Sequence, residues 1–159
     1  MKLIPTGIEN FKELIDKDYY YVDKTNLIVN IINEKVVLYT RPRRFGKTLN
    51  MSMLYYFFSI KEKKNSYLFN HLNISKNKET LEYQNKYPTI FISLKDMKNN
   101  SYEKQMNQFK EVICLCAKNF LELLNSDVLL DSEKKLFQKY VDNETQDNEL
   151  ERALFNISY

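Results

Sequence analysis

An unbroken apolar run, VVLYT at residues 36–40, leads through a short basic loop into a segment with helical periodicity. The run has no polar alternation, which is the pattern of a strand covered on both faces, as in a parallel sheet. After Gly46, apolar residues return at helical spacing at Leu49, Met53 and Phe57. Gly46 is therefore predicted to stand at the junction between a central strand and a helix.

Two further segments favour strands. Residues 89–94, introduced by Tyr87 and Pro88, form a second apolar run, and the aromatic cluster at residues 19–22 suits a short strand. Helices are predicted around Phe11 to Ile15, Leu27 to Ile32, Leu49 to Phe58, Met106 to Leu124, Leu136 to Tyr140 and Leu150 to Ile157. This order predicts an α/β fold with a parallel sheet. Since such sheets have about five or six strands and only two central ones are found, we expect the fold to be incomplete at its C-terminal end.

Length and composition bound the class of protein. A chain of 159 residues with 43% hydrophobic residues is typical of one soluble domain with a real core. No apolar run is long enough for a membrane span or a signal peptide, so we expect a cytoplasmic protein with no membrane partner. Cys114 and Cys116 point to different sides of a helix and are interpreted as core residues, and the single His71 as structural or surface.

The net charge of +3 is unevenly distributed. The segment from Arg41 to Lys64 contains seven basic residues, Arg41, Arg43, Arg44, Lys47, Lys61, Lys63 and Lys64, and the single acid Glu62. Acids dominate after Ser126. An anionic ligand is therefore expected at the first region.

The basic loop fits the phosphate-binding pattern G-x-x-x-x-G-K-S/T at seven of its eight positions. Its residues are Arg41, Pro42, Arg43, Arg44, Phe45, Gly46, Lys47 and Thr48. Gly46 allows main-chain N–H groups to approach phosphate oxygens, Lys47 neutralises phosphate charge as the catalytic lysine, and Thr48 offers a hydroxyl to Mg²⁺. The pattern predicts a nucleotide or phosphate site, and the alternative is a structural helix cap that happens to be followed by a lysine.

The first position departs from the pattern. Arg41 replaces the glycine of a compact loop, and Pro42 removes one N–H group that could serve the phosphate. Arg41, Arg43 and Arg44 offset this loss if their guanidinium groups pair with phosphate. The same arginines would equally suit DNA, RNA or an acidic partner.

Several sequence blocks resemble one known family, the bacterial and archaeal predicted AAA-ATPase or AAA-ATPase-like proteins. The blocks are Ile4, Pro5, Gly7, Ile8 and Phe11; YYVDKT at residues 20–25; RPRRFGKT at residues 41–48; and YPTIFISLKD at residues 87–96. The arginine at position 41 is then a variant of the family itself. The resemblance extends over essentially the whole chain.

This resemblance implies a three-layer P-loop NTPase-like fold with parallel strands that binds ATP and Mg²⁺. In longer members it also implies a C-terminal restriction-endonuclease-like nuclease domain. Residues 1–159 are then the N-terminal part of the ATPase domain, truncated before the Walker B strand. We expect ATPase-like chemistry that is inactive or weak in this fragment, with hydrolysis only in a longer chain. Formation of a homo-oligomer stays open.

A Walker B strand consists of four apolar residues followed by an acid. Two segments of the chain resemble this pattern only in part. Only three apolar residues precede Asp131, and Asp127 interrupts the run. In the other segment, Ser93 and Lys95 separate the apolar residues from Asp96. Neither is taken as the catalytic acid.

Some assignments have alternatives. Asp23, Lys24 and Thr25 fit a helix cap and a surface ion pair, or a contact with the nucleotide or the loop. The tyrosines at 19–21 fit core packing or stacking on adenine. For the whole chain, the alternatives to ATP binding are a nucleic-acid-binding module that uses the Arg/Lys-rich loop, and a non-enzymatic remnant or interaction domain whose acidic C-terminal helices bind a partner.

Overall fold

The computed structural model of the chain describes residues 1–95 and 97–158. Asp96, the last residue of the block at residues 87–96, and Tyr159, the last residue of the given sequence, lie outside the described residues. The chain divides into two compact units, Met1–Thr89 and Ile90–Tyr159. Each unit has a hydrophobic core of its own.

The first unit is built from four α-helices: α1 (Phe11–Asp16), α2 (Asn26–Ile31), α3 (Lys47–Phe58) and α4 (Lys78–Leu81). Two 3₁₀ helices, Ile60–Phe69 and Asn73–Lys76, lie between α3 and α4. Asn10 caps α1 because its side-chain oxygen accepts a hydrogen bond from the Glu13 N–H at 3.0 Å. The helices predicted at these positions are confirmed.

The core of the first unit is largely aromatic. Phe69 stacks on Phe11 with ring centroids 5.2 Å apart and meets Phe57 edge to face, also at 5.2 Å. Ile28 of α2 and Met53 of α3 are fully buried in the same cluster. Ser52 ties the N-terminal segment to α3, since its hydroxyl accepts a hydrogen bond from the Phe11 N–H at 3.0 Å. Helix α3 is thus held firmly from several sides.

The second unit contains α5 (Tyr102–Lys118), a 3₁₀ helix (Leu121–Asn125), α6 (Asp131–Asp142), α7 (Asp147–Leu150) and α8 (Ala153–Ser158). Its core lies chiefly between α5 and α6, with Ile113, Phe137 and Tyr140 buried. The long amphipathic helix predicted near Ser101 is confirmed as α5, and both C-terminal helices are also found. Cys114 and Cys116 are buried and free, as expected.

The predicted α/β fold is wrong, because the described residues form an all-α structure. Their only β pairing is an isolated parallel bridge between Ser59 and Tyr87. The runs at residues 19–22, 36–40 and 89–94 are not strands. A buried strand requires neighbours on both edges and both faces, yet Val36 and Leu38 are 87% and 86% exposed. The three-layer sheet with parallel strands is therefore absent from the described residues.

None of the helices in the described part of the chain is long and apolar enough to cross a lipid bilayer.

Candidate functional site

Gly46 forms the junction between the basic loop and helix α3. It is the N-cap residue, with φ 72° and ψ 26°, a left-handed conformation that glycine adopts without steric cost. Its carbonyl oxygen accepts the first helical hydrogen bond from the Asn50 N–H at 2.9 Å. The N–H groups of the first turn have no acceptor within the helix, and the helix dipole makes this end positive. The predicted helix after Gly46 is therefore confirmed, whereas the strand predicted before the loop is not found at residues 36–40.

The Lys47 side chain folds back over the loop that precedes it. Its ammonium donates to the carbonyl oxygen of Arg41 at 2.6 Å and to that of Pro42 at 2.9 Å. These two hydrogen bonds close residues 41–47 into a ring-like turn. The first and seventh residues of the predicted phosphate motif are thereby brought together, although Arg41 takes the place of glycine.

Arg44 provides a second left-handed residue in this loop, with φ 68°. Such a φ is uncommon for a residue with a Cβ atom and is maintained only where the surrounding structure requires it. Left-handed residues in a tight turn direct successive N–H groups toward one side, an arrangement that binds anions. Arg43, Arg44 and Phe45 have exposed side chains at this turn, and Thr48 is half-buried on the first turn of α3.

Arg41 contacts an aromatic ring rather than pointing freely into solvent. Its guanidinium carbon lies 5.2 Å from the centroid of the Tyr39 ring, a cation–π contact. The Tyr39 hydroxyl in turn accepts a hydrogen bond from the side chain of the buried Asn50 at 3.2 Å. The residue that departs from the glycine of the pattern is thus attached to α3 through Tyr39.

Lys24 lies beside the same junction, and contact with the loop is one of the two roles that its sequence block allows. A Cβ atom built on Gly46 would lie 3.9 Å from the Lys24 ammonium. The YYVDKT block was the signal in the sequence, since it belongs to the same set of family-like blocks as the loop. That signal did not specify which residue of the block approaches the loop.

Asp23 and Thr25, on either side of Lys24, connect this segment to residues 73 and 74 by hydrogen bonds. The Asp23 carboxylate accepts from the Thr25 N–H at 2.8 Å, the Thr25 hydroxyl at 2.7 Å and the Asn73 N–H at 2.6 Å. The buried Thr25 hydroxyl accepts from the Ile74 N–H at 3.1 Å. Partial burial works to raise the pKa of Asp23, but the hydrogen bonds from Asn73 and Thr25 outweigh it, so the pKa is lowered. Both residues have a structural role.

Tyr21 packs in the core of the first unit and bonds to the main chain of Lys24. Its ring meets Phe11 edge to face at 5.7 Å, and its hydroxyl donates to the Met53 sulfur at 3.5 Å. The same hydroxyl accepts from the Lys24 N–H at 3.2 Å. Burial raises the pKa of Tyr21 to about 12. This tyrosine packs in the core, whereas Tyr20 is exposed.

The remaining chemical candidates do not form a site. Asp131 is the first residue of α6, and Val128 before it is 90% exposed, so this segment is not a buried strand that ends in an acid. His71 is exposed, as expected. Within residues 1–95 and 97–158, no group of three or more His, Cys, Asp or Glu side chains is placed to hold a metal ion.

Comparison with known proteins places this chain in a family of predicted ATPases. Residues 5–155 match the family described as "Predicted AAA-ATPase", and the chain belongs to that family. This membership associates the chain with nucleotide binding at a general level.

A curated relative is similar over part of the chain. It is the "Uncharacterized protein in vnfD 5'region" of Azotobacter chroococcum mcd 1, which is 33% identical over 94 residues. The match covers 58% of this chain and only 17% of that protein. No solved structure matches the chain.

Proposed function

We propose that this chain binds ATP with Mg²⁺ through the loop at residues 41–48. The observation that carries the proposal is the position of the Lys47 ammonium, which closes the loop on the carbonyl oxygens of Arg41 and Pro42. Membership of an ATPase family and the positive end of α3 support it.

The hydrogen-bonding capacity of Lys47 is compatible with a phosphate ligand. An ammonium group has three N–H donors, and the two loop carbonyls accept two of them. The third is available to a β or γ phosphate oxygen while the loop stays closed. The main-chain N–H groups that follow Gly46 provide further donors to the same anion.

Thr48 is the proposed contact to Mg²⁺. It is the second residue of α3 and half-buried, so its hydroxyl lies close to the positive end of the helix. A hydroxyl at this position of the motif suits a magnesium ion that bridges two phosphates. Bound Mg²⁺ would neutralise phosphate charge, and Thr48 would fix where the ion lies.

ATP turnover is expected to be weak. Hydrolysis needs a carboxylate that holds Mg²⁺ and orients the attacking water, and Asp131 begins a helix instead of ending a strand. Lys47 is then the proposed catalytic lysine only where such an acid is also supplied.

A fluorescent ATP analogue titrated into the full chain tests the proposal. Lys47→Ala is expected to weaken binding by about tenfold or more, because it removes a charge-assisted hydrogen bond. Lys78→Ala is the matched control, since Lys78 is exposed at the start of α4 in the same unit. Equal affinity of wild type and Lys47→Ala would contradict the proposal. Thr48→Val should lower the affinity for the ATP analogue more when Mg²⁺ is present than when it is absent. Thr48→Ser keeps the hydroxyl and should bind the analogue as wild type does under both conditions.

The exposed basic side chains favour nucleic-acid binding as the second candidate. Arg43, Arg44, Lys63 and Lys64 are exposed in the first unit, whereas Arg41 is engaged with Tyr39. Binding to a phosphate backbone weakens steeply with salt. Three results together would favour this function over ATP binding. DNA or RNA affinity should fall as salt rises, it should be lower in Arg43→Gln and Lys64→Gln, and it should not change when ATP is added.

A further inference from the structure

We propose that Lys24 is a second phosphate-binding lysine of the candidate nucleotide site, one that contacts the polyphosphate tail rather than the base. This inference rests on the proposed ATP site and adds a residue outside the loop motif. The juxtaposition that carries it is the Lys24 ammonium beside Gly46, the N-cap of α3, at 3.9 Å from where a Cβ atom would stand.

The main chain of Lys24 is held in place by its neighbours. Its N–H donates to the Tyr21 hydroxyl at 3.2 Å, and its carbonyl oxygen accepts from the Leu27 N–H at 2.9 Å. Asp23 and Thr25 on either side are bonded to Asn73 and Ile74. The side chain therefore extends from a rigid base toward the loop, so little main-chain entropy is lost when it binds a ligand.

The positive charges around the Lys24 ammonium favour binding of an anion. A cation near the N-terminal end of a helix is unfavourable, because that end already carries partial positive charge. The Lys47 ammonium belongs to the same junction and adds like charge. The adjacent carboxylate, Asp23, is oriented toward Thr25 and Asn73, from which its oxygens accept three hydrogen bonds. A polyphosphate bound at the junction would neutralise both ammonium groups.

Two lysines at one junction predict a preference for ligands with more phosphates. Lys47 accounts for one contact to the tail, and Lys24 approaches from a different segment of the chain. A nucleoside triphosphate has enough charge and length to reach both, whereas a monophosphate engages the helix end alone. Because the contact is to phosphate, inorganic tripolyphosphate should compete for it without any base.

Titrations of the full chain with fluorescent analogues of ATP, ADP and AMP test the role of Lys24. Lys24→Gln is expected to weaken ATP binding by about tenfold, as loss of one charge-assisted hydrogen bond does, and to change AMP binding little. Lys24→Arg should restore most of the ATP affinity, and tripolyphosphate should displace the ATP analogue less well from Lys24→Gln than from wild type. Lys78→Gln, the same charge change on an exposed lysine of the same unit, should behave as wild type.

Acetylation of lysines followed by mass spectrometry provides a readout on the wild-type chain. Tripolyphosphate should protect Lys24 from acetylation and leave Lys78 reactive. If Lys24→Gln binds ATP as wild type while Lys47→Ala does not, or if Lys24 stays reactive under saturating tripolyphosphate, the role of Lys24 is refuted and the ATP site stands. Equal losses of ATP and AMP affinity in Lys24→Gln would refute it too. If wild type binds neither ATP nor tripolyphosphate, the ATP site and the role of Lys24 both fail.

Discussion

The Lys47 ammonium donates to the carbonyl oxygen of Arg41 at 2.6 Å, so the residue that opens the basic loop is fastened to the first residue of α3. This contact holds the loop without the glycine that the phosphate-binding pattern requires at its first position. It also leaves the exposed Arg43 and Arg44 at a turn that is fixed at both ends.

Trypsin cleavage after Arg43 and Arg44 should report on closure of this loop. The bond after Arg41 resists trypsin because Pro42 follows it, and the site after Lys47 is lost in Lys47→Ala. The cuts to compare are therefore those after the two exposed arginines. Lys47→Ala removes both hydrogen bonds to the loop carbonyls. We expect the loop to open more often in this variant and to be cut several-fold faster, as judged by mass spectrometry of early fragments.

The appropriate internal control is cleavage after Lys63 and Lys64, which are exposed in the 3₁₀ helix Ile60–Phe69. Those rates should be the same in wild type and Lys47→Ala. Equal loop cleavage in the two proteins would show that Lys47 does not hold the loop.

The two glycines of the chain form a natural pair for separating backbone strain from ligand binding. Gly7 and Gly46 have φ values of 77° and 72°, and neither has a neighbour that an added methyl group would strike. Alanine at either position should therefore cost roughly 1–2 kcal/mol of unfolding free energy from left-handed strain alone. Urea denaturation measures that cost.

Only Gly46→Ala should also weaken binding of the ATP analogue, because Gly46 lies where phosphate must approach the main chain and Gly7 does not belong to the loop. A similar affinity loss in both variants would attribute the effect to general destabilisation. An unchanged affinity in Gly46→Ala would mean that ligands do not approach this glycine.

The helices were predictable from sequence because their signal is local. In α5, the buried residues Ile113, Cys116 and Ala117 fall on one face of the helix, and spacing along the chain is enough to identify that face. The junction at Gly46 was predictable for the same reason, since glycine precedes a run with helical periodicity.

The strands were predicted wrongly because an apolar run does not specify what covers it. Residues 36–40 have the composition of a central strand, but β structure depends on partners that are distant in sequence, and Val36 and Leu38 are exposed. The approach of Lys24 to Gly46 is also tertiary. It depends on Tyr21, Asp23 and Thr25 packing against segments that no local pattern relates to them.

Thr25 should be a sensitive position for the stability of the first unit. Its buried hydroxyl accepts from the Ile74 N–H and donates to Asp23. Thr25→Val keeps the shape but leaves the Ile74 N–H without its acceptor, so we expect a loss of about 1–3 kcal/mol in unfolding free energy.

Thr25→Ser is the matched control, because it keeps the hydroxyl and removes one methyl group, which costs about 0.8 kcal/mol. Chemical denaturation of both variants should rank Thr25→Val as the less stable. If serine is as damaging as valine, the hydrogen bonds of Thr25 are not what stabilises this corner.

Acid should remove the stabilisation that Asp23 provides. Hydrogen bonds from Asn73 and Thr25 outweigh partial burial and lower the pKa of Asp23 below its ordinary value of 3.8. A carboxyl group with a lowered folded-state pKa stabilises the fold fully above its unfolded-state pKa, and this contribution is lost as pH falls through the folded-state value. Asp23→Asn should therefore be less stable than wild type at pH 6, and the difference in urea midpoint should shrink as pH falls below about 3.8. Because other carboxyl groups titrate in both proteins, the difference isolates Asp23. A difference that stays constant from pH 6 to pH 3 would show that the charge of Asp23 does not contribute.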